Sequence, residues 1–492
     1  MTSKAIEDFK ITSFKITLKK DGLPRCSTKT TPGVITQRSC VYYGARWILA
    51  PIKNTIHVVH GPVGCAYYGA YVRKKNYMVV SSDANEVDII YGGEEKLFNT
   101  IIESAKELKG DVIFVYVTCP TALNGDDVEG VCRRAEKTLK IPVIPVYCPG
   151  FCGYHQSKGH EIGMMALFRL IDKEPLDEKT DDIINEKYEE RKKTIVRLAT
   201  RLKKNHKIKN YPLRYNHIKK VEKSHNNKED YKYAVNIIGE FDVADDLKVI
   251  KDLLSKLGIK VICTFTGDCD VKNIMESKKA KLNLIHCRAT GKHIANYMEE
   301  KYGIPQLKVS FFGITNTQKS LLDIGKFFGI EDKVVRLINE EYKRIEKELN
   351  YYLEKLENKR VGIFMGGSKI GMLSSAFRDM GMDVVVVGSQ FGSLEDYLEA
   401  YMNVDEDTVL IDDASNIDLQ LLMENKRPDI FVGGTKEKFL SLKVGIPFIS
   451  FPQDDYPFTG FVGFLNFAKE VYRNIYHPIW KMIEFNMGCF LK

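Results

Sequence analysis

No apolar run in this chain of 492 residues approaches the roughly 18 needed for a membrane-spanning helix. The opening Met1-Thr2-Ser3-Lys4 lacks a charged segment followed by an apolar stretch, so no secretory leader is expected. No Gly-x-x-x-x-Gly-Lys-Ser/Thr loop is present, which excludes a P-loop nucleotide hydrolase. Repeats and low-complexity tracts are also missing. Eleven cysteines, an odd number widely scattered, show neither ferredoxin nor zinc-finger spacing. Without an export signal a disulfide framework is not expected. Reduced thiols, some of them metal ligands, in a cytoplasmic protein fit better.

A chain this long exceeds one ordinary core and implies two or three domains. Its 44% hydrophobic and 28% charged residues are those of a globular protein. The net charge of +8 is unevenly placed: fourteen Lys/Arg face the single acid Glu222 between positions 191 and 228, leaving the remainder acidic. Such a stretch either binds an acidic partner or forms a solvated insertion. The insertion is the simpler reading, and neither nucleic acid nor membrane is expected as a partner.

Short β-branched runs alternate with helix-length segments. Ile56–His60, Val112–Val117 and Val143–Val146 form a first group, and Ala234–Gly239, Ile259–Ile262 and Leu282–Ile285 a second. Arg360–Gly367, Val384–Gly388, Val409–Ile411 and Ile430–Gly434 form a third. Continuous apolar runs separated by helices predict α/β architecture, with parallel sheets covered on both faces and ligands at the carboxyl ends of the strands. The expected organisation is an arm over 1–30, a first α/β domain over 31–188 and the basic insertion over 189–230. A second domain over 231–340 and a third with C-terminal helices over 341–492 complete it. Helical spacing of Ile345, Leu349, Tyr352, Leu353 and Leu356 predicts a helix over Glu340–Leu356.

Chemistry-bearing residues stand at several strand ends. Cys40, Cys65 and Cys119 each lie in a loop punctuated by glycine or proline or close to one, as in His60-Gly61-Pro62-Val63-Gly64-Cys65 and Thr118-Cys119-Pro120. Glycine permits close approach to a bulky inorganic cluster and thiolates are its usual ligands, although buried structural thiols are the alternative. Three ligands from one chain leave a large cluster incomplete, which points to a second subunit. Cys287, in Leu284-Ile285-His286-Cys287-Arg288, is either a core thiol or a lone ligand. Gln156 and His160 enter one helix, where the histidine is a proton donor near neutral pH or a capping residue. Cys148 and Cys152, without a second pair nearby, read as structural.

Taken together, these stretches resemble the α-subunit of nitrogenase component 1. They include Cys40-Val41-Tyr42-Tyr43-Gly44-Ala45, His57-Val58-Val59-His60-Gly61-Pro62-Val63-Gly64-Cys65 and Cys119-Pro120-Thr121-Ala122-Leu123-Asn124-Gly125-Asp126-Asp127. Others are Gln156-Ser157-Lys158-Gly159-His160, Leu282-Asn283-Leu284-Ile285-His286-Cys287 and Lys436-Glu437-Lys438-Phe439. The resemblance implies three Rossmann-like, doubly wound parallel-sheet domains around a central metallocluster cleft. It implies that Cys40, Cys65 and Cys119 hold their share of an [8Fe-7S] P-cluster completed by a β-subunit in an α2β2 heterotetramer. It further implies that Cys287 anchors a catalytic iron–sulfur cofactor of FeMo, FeV, FeFe or precursor type. Gln156, His160 and Arg73 match residues beside that cofactor, the histidine as proton relay. Gly366 and Gly367 match glycines that admit it, Lys369 replaces an arginine, and Lys436 matches a lysine near its organic acid.

Two positions depart from the family pattern. Pro452 falls where the family carries a histidine ligand to the heterometal, and Ile48 where nitrogen-fixing enzymes carry valine. The resemblance therefore implies either of two functions. One is a reductase fed by an ATP-hydrolysing iron protein, converting N₂ to ammonia or reducing another small molecule such as a methylthio compound. The other is a cofactor-assembly scaffold. Loss of the second ligand favours the scaffold, which must release its cargo; retention of Gln156, His160 and Arg73 favours the reductase.

Overall fold

The computed structural model describes residues 40–72, 75–152, 156–172, 231–241, 245–390, 392–451 and 455–480. The expected N-terminal arm and basic insertion, and with them Arg73 and Pro452, lie outside the described residues. Among the described residues no helix is long and apolar enough to cross a membrane. The chain divides into two compact units, one of Gln37–Asp242 with Gly258–Lys308, the other of Met1–Thr36, Val243–Leu257 and Val309–Lys492.

The first unit contains two four-stranded sheets, both wholly parallel. In one, Thr55–His60 lies between Val80–Ser81 and Val112–Val117, and Val143–Tyr147 follows on the far side of the last. The run Val112–Val117 is no more than 1% exposed at any residue, as a central strand covered on both faces requires. Each fully buried Val, Ile or Phe there contributes about 1.5–3 kcal/mol. The chain builds outward from Thr55–His60 on one side, then returns to the other, so the order reverses between Thr55–His60 and Val112–Val117. In the other sheet the order is Gln306–Lys308, Leu282–Ile285, Ala234–Glu240, Lys260–Thr266, and the reversal falls between Ala234–Glu240 and Leu282–Ile285.

The second unit carries a five-stranded parallel sheet: Val409–Asp412, Asp383–Ser389, Arg360–Phe364, Ile430–Gly433, Phe448–Ser450. Its reversal lies between Arg360–Phe364 and Ile430–Gly433. The helix expected from Glu340 begins earlier and spans Glu331–Leu356, because Val334, Leu337 and Ile338 extend the buried stripe that Ile345 and Leu349 continue.

Within the first unit, the helices Val41–Leu49 and Gln156–Ala166 cross with backbone against backbone. A Cβ on Gly159 would lie 1.9 Å from the Val41 carbonyl oxygen and 2.8 Å from the Gly44 Cα, and one on Gly44 would lie 2.0 Å from the Gln156 carbonyl oxygen. Only glycine permits this approach. Gly159→Ala is expected to cost about 1–3 kcal/mol or more, read as a lower denaturant midpoint; a midpoint equal to the parent's contradicts the packing described.

His57, on Thr55–His60, is enclosed between the Tyr116 hydroxyl, 2.9 Å from Nδ1, and Thr55 Oγ1, 2.8 Å from Nε2. Burial, reinforced by the nearby Arg46 guanidinium, pulls its proton affinity well below the usual 6.5. The folded chain keeps it neutral while the unfolded chain protonates it, so its contribution to stability is complete above pH 6.5 and is lost as pH falls toward the folded value. The thermal midpoint is expected to drop between about pH 7 and about pH 5, and to drop less in His57→Gln. Equal slopes in the two proteins remove His57 as the cause.

Candidate functional site

Crevices at strand-order reversals are where open α/β sheets receive ligands, at the carboxyl ends of the strands. Described candidate residues stand at such strand ends in all three sheets. At the first, Thr55–His60 runs into the loop leading to Cys65, and Val112–Val117 into Thr118-Cys119. The buried His60 ties these loops together: its Nε2 lies 2.8 Å from Asp126 Oδ2, its Nδ1 3.0 Å from Ser82 Oγ, and its carbonyl accepts from the Thr118 and Thr121 hydroxyls at 2.9 and 2.8 Å. Burial lowers the proton affinity of His60, and Asp126 opposes the shift.

Cys40, Cys65 and Cys119 line one cavity of about 200 Å³, together with Tyr42, Gly64, Tyr68, Thr118, Cys148 and Gly150. Cys40 caps the helix Val41–Leu49, its Sγ accepting from the Tyr43 amide at 3.4 Å. Cys119 Sγ accepts from the Gly150 amide at 3.0 Å. Backbone N–H groups directed at sulfur favour a thiolate, whereas burial pushes the thiols of Cys40 and Cys65 up. Cys148, read from the sequence as structural, is completely buried and is a fourth thiol of this wall. Its position follows from strand pairing, since Val117 lies opposite Tyr147 and the next residue on each strand turns into the same space. Cys152 is exposed. None of the described cysteines forms a disulfide.

The cavity suits a polynuclear cluster better than a single ion. Among the described residues no three His, Cys, Asp or Glu side chains converge closely enough for one metal ion. Four thiols instead surround a volume, and the space where a Gly64 Cβ would project is open.

At the second crevice, Ala234–Glu240 and Leu282–Ile285 lead to Phe241 and Cys287. Gly239, at φ +82°, passes so close to Cys287 that a Cβ would meet the cysteine's Cβ at 2.7 Å. Glu240 Oε2 lies 2.9 Å from His286 Nδ1 beside it, both side chains buried. Cys287 is 7% exposed and its Sγ lies 3.4 Å from Thr290 Oγ1. Thr290 Oγ1 is in turn 3.3 Å from His160 Nδ1, and His160 Nε2 is 3.0 Å from Gln156 Nε2. Trp47 stacks on the imidazole with centroids 6.3 Å apart, and Phe241 closes another side at 6.1 Å. The structure thus brings Gln156, His160 and Cys287 into one contact chain through Thr290. Sequence reasoning passed over Thr290; its spacing of three from Cys287 on the helix Arg288–Tyr302 is the signal that marks it. Ile48 is fully buried against Gly163, and its carbonyl accepts from the Thr266 hydroxyl at 2.5 Å.

The third crevice belongs to the other unit. Gly366 and Gly367 open the helix Gly367–Asp379 after Arg360–Phe364, and Lys369 follows in its first turn. Lys436, exposed, opens Thr435–Val444 after Ile430–Gly433. Two helix N-termini and two lysines at adjacent strand ends make a setting for an anion. Close packing also requires Gly367, since a Cβ there would meet Asp396 Oδ2 at 2.5 Å and Gly392 Cα at 2.7 Å.

A family model described as nitrogenase component 1 type oxidoreductase matches residues 40–476. The nitrogenase iron-molybdenum cofactor biosynthesis protein NifE of Methanococcus maripaludis is 37% identical, over 94% of this chain and 88% of its own. The nitrogenase molybdenum-iron protein alpha chain of Methanothermobacter marburgensis is 34% identical, over 96% of this chain and 95% of its own. Among solved structures, nitrogenase Cp1 at pH 5 superposes with a TM-score of 0.74 at 29% identity, covering 93% of this chain and 92% of that one.

Proposed function

The chain belongs to the nitrogenase component 1 type oxidoreductases, and we propose that it is the α-type subunit of a reductase carrying two iron–sulfur centres. In this reading Cys40, Cys65 and Cys119 hold a P-cluster shared with a β-subunit, and Cys287 anchors a second iron–sulfur cofactor at which substrate is reduced. An ATP-hydrolysing iron protein is the electron donor. The observation that carries the reading is the contact chain Gln156–His160–Thr290–Cys287. A protein that only stored a cluster has no need of an imidazole set beside its anchoring thiol by a glutamine and a hydroxyl.

The bound clusters supply electron storage; the chain's own side chains supply anchoring, orientation and protons. Gln156 and Thr290 fix the two ring nitrogens of His160, which leaves the imidazole one orientation from which to hold and release a proton. Trp47 and Phe241 shield the ring from water. Arg73 and the Ile48 side chain are assigned as neighbours of the cofactor on the resemblance alone.

One alternative has its own support. Pro452 stands where the family carries a histidine ligand, and the NifE relative is a cofactor biosynthesis protein. A scaffold that hands on its cargo accounts for both. The complex, purified anaerobically from its native cells, separates the two functions. Sustained substrate reduction with iron protein and ATP supports the reductase. Absence of turnover, with transfer of cluster to a cofactor-free acceptor, rejects it in favour of the scaffold.

A further inference from the structure

Arg46 is the largest fully buried side chain of the described residues, with no exposed surface. Its Nε donates to the Gly69 carbonyl at 3.0 Å and its Nη2 to the Tyr77 carbonyl at 3.5 Å, while Nη1 has no hydrogen-bond partner among the described residues. No described carboxylate pairs with it, although Asp or Glu partners hold many of the other described cations. Arginine does not deprotonate in a protein, so the interior of this unit holds a permanent positive charge without a counter-charge among the described residues. Such a charge is costly to bury unless something anionic compensates it.

The residues around Arg46 lead to the thiol cavity. The guanidinium carbon lies 5.5 Å from the centroid of the Tyr116 ring, and Tyr116 packs edge-on against Tyr42 at 5.6 Å. Tyr42 is part of the cavity wall, and its hydroxyl, also without a hydrogen-bond partner among the described residues, is within electrostatic reach of Arg46, Cys148 and Cys65. Gly69 seals the junction: a Cβ there would lie 2.2 Å from the Tyr42 hydroxyl.

We infer that Arg46 is the buried counter-cation of the cluster held in the Cys40–Cys65–Cys119 cavity, fixing its reduction potential without touching it. The inference rests on the proposal that the cavity carries an iron–sulfur cluster. Reduction adds one electron, and one negative charge, to the cluster. A fixed cation nearby stabilises that charge and raises the midpoint potential, through a medium too apolar to screen it. Arg46 is thus a positioning residue for charge, and its removal acts on the potential more than on occupancy.

The test compares the parent complex with Arg46→Lys, Arg46→Gln and Arg46→Met, each titrated anaerobically with dithionite and followed by electron paramagnetic resonance. The two neutral variants are expected to titrate at more negative potential than the parent, with Arg46→Lys close to it. A neutral variant that folds but no longer retains its cluster overturns the inference, because Arg46 then governs occupancy rather than potential. Parent-like potentials in both neutral variants overturn it while leaving the cluster assignment intact. Absence of a cluster in the parent overturns the assignment, and the inference with it. Thermal unfolding of the cluster-free chains adds a second criterion: Arg46→Met should unfold no earlier than the parent, because it removes an uncompensated charge. Earlier unfolding in both neutral variants makes Arg46 a structural residue and rejects the role proposed.

Discussion

Cys65→Ala, isolated anaerobically with its partner subunit, is expected to lose most of the iron and acid-labile sulfide of the thiol cavity, and with it the partner, while its circular dichroism stays that of the parent. Cys65 is only half-buried, at the start of the helix Val63–Ala70, which begins without a side-chain cap after Pro62. Truncation to alanine therefore removes little packing. A cluster that depends on a fixed ring of thiolates loses one ligand outright, and a cluster completed by another subunit loses the bond that joins the two chains. Cys132→Ala is the control, because that thiol is buried in a separate apolar cluster with Leu97, Ile101 and Val128 and lines no part of the cavity. Cluster loss in both variants, or in neither, removes Cys65 from the ligand set.

His160→Ala is expected to lower turnover about 10²- to 10⁴-fold, the usual contribution of a positioned acid–base group, with iron content unchanged. The separation of the two effects follows from geometry: the Thr290 hydroxyl stands between His160 Nδ1 and Cys287 Sγ. Thr290→Val removes the hydroxyl and retains the side-chain volume. It takes the hydroxyl away from Nδ1, and turnover should fall less than in His160→Ala. The pH profile provides a check that packing alone does not affect: the alkaline limb set by loss of the donor's proton should vanish in His160→Ala and shift in Thr290→Val. Full turnover in His160→Ala eliminates the relay, and loss of iron in that variant makes the histidine a part of the anchor instead.

The strands legible in the sequence are those with β-branched runs, such as Val112–Val117 and Asp383–Ser389, buried along most of their length. The strands overlooked are two or three residues long: Val80–Ser81, Gln306–Lys308 and Phe448–Ser450 lie at sheet edges, and Tyr71–Val72 pairs with Lys75–Asn76 alone, so that one neighbour suffices and no apolar run is required. Cys65, Cys119 and Cys287 were visible because each follows a strand. Cys148 follows one as well, but its approach to the other thiols depends on the register between Val112–Val117 and Val143–Tyr147, which no local pattern encodes. Arg46 and Trp47 belong to no motif of their own in the sequence. Their unusual surroundings come from the glycine contact with Gln156–Ala166 and from loops distant in sequence.

The helix Val41–Leu49 acts as a ruler between the thiol cavity and the imidazole of His160. Its capping residue, Cys40, stands in the thiol cavity, and two turns on Trp47 lies against His160. Seven residues at about 1.5 Å each make that interval roughly 10 Å, fixed by covalent geometry within a single compact unit. Inserting one residue would turn everything beyond it by about 100° around the axis, carrying Trp47 off the imidazole while leaving Cys40 in place. Length is therefore a constrained property of this segment alongside Gly44: an insertion or deletion changes the interval between the thiol cavity and the imidazole.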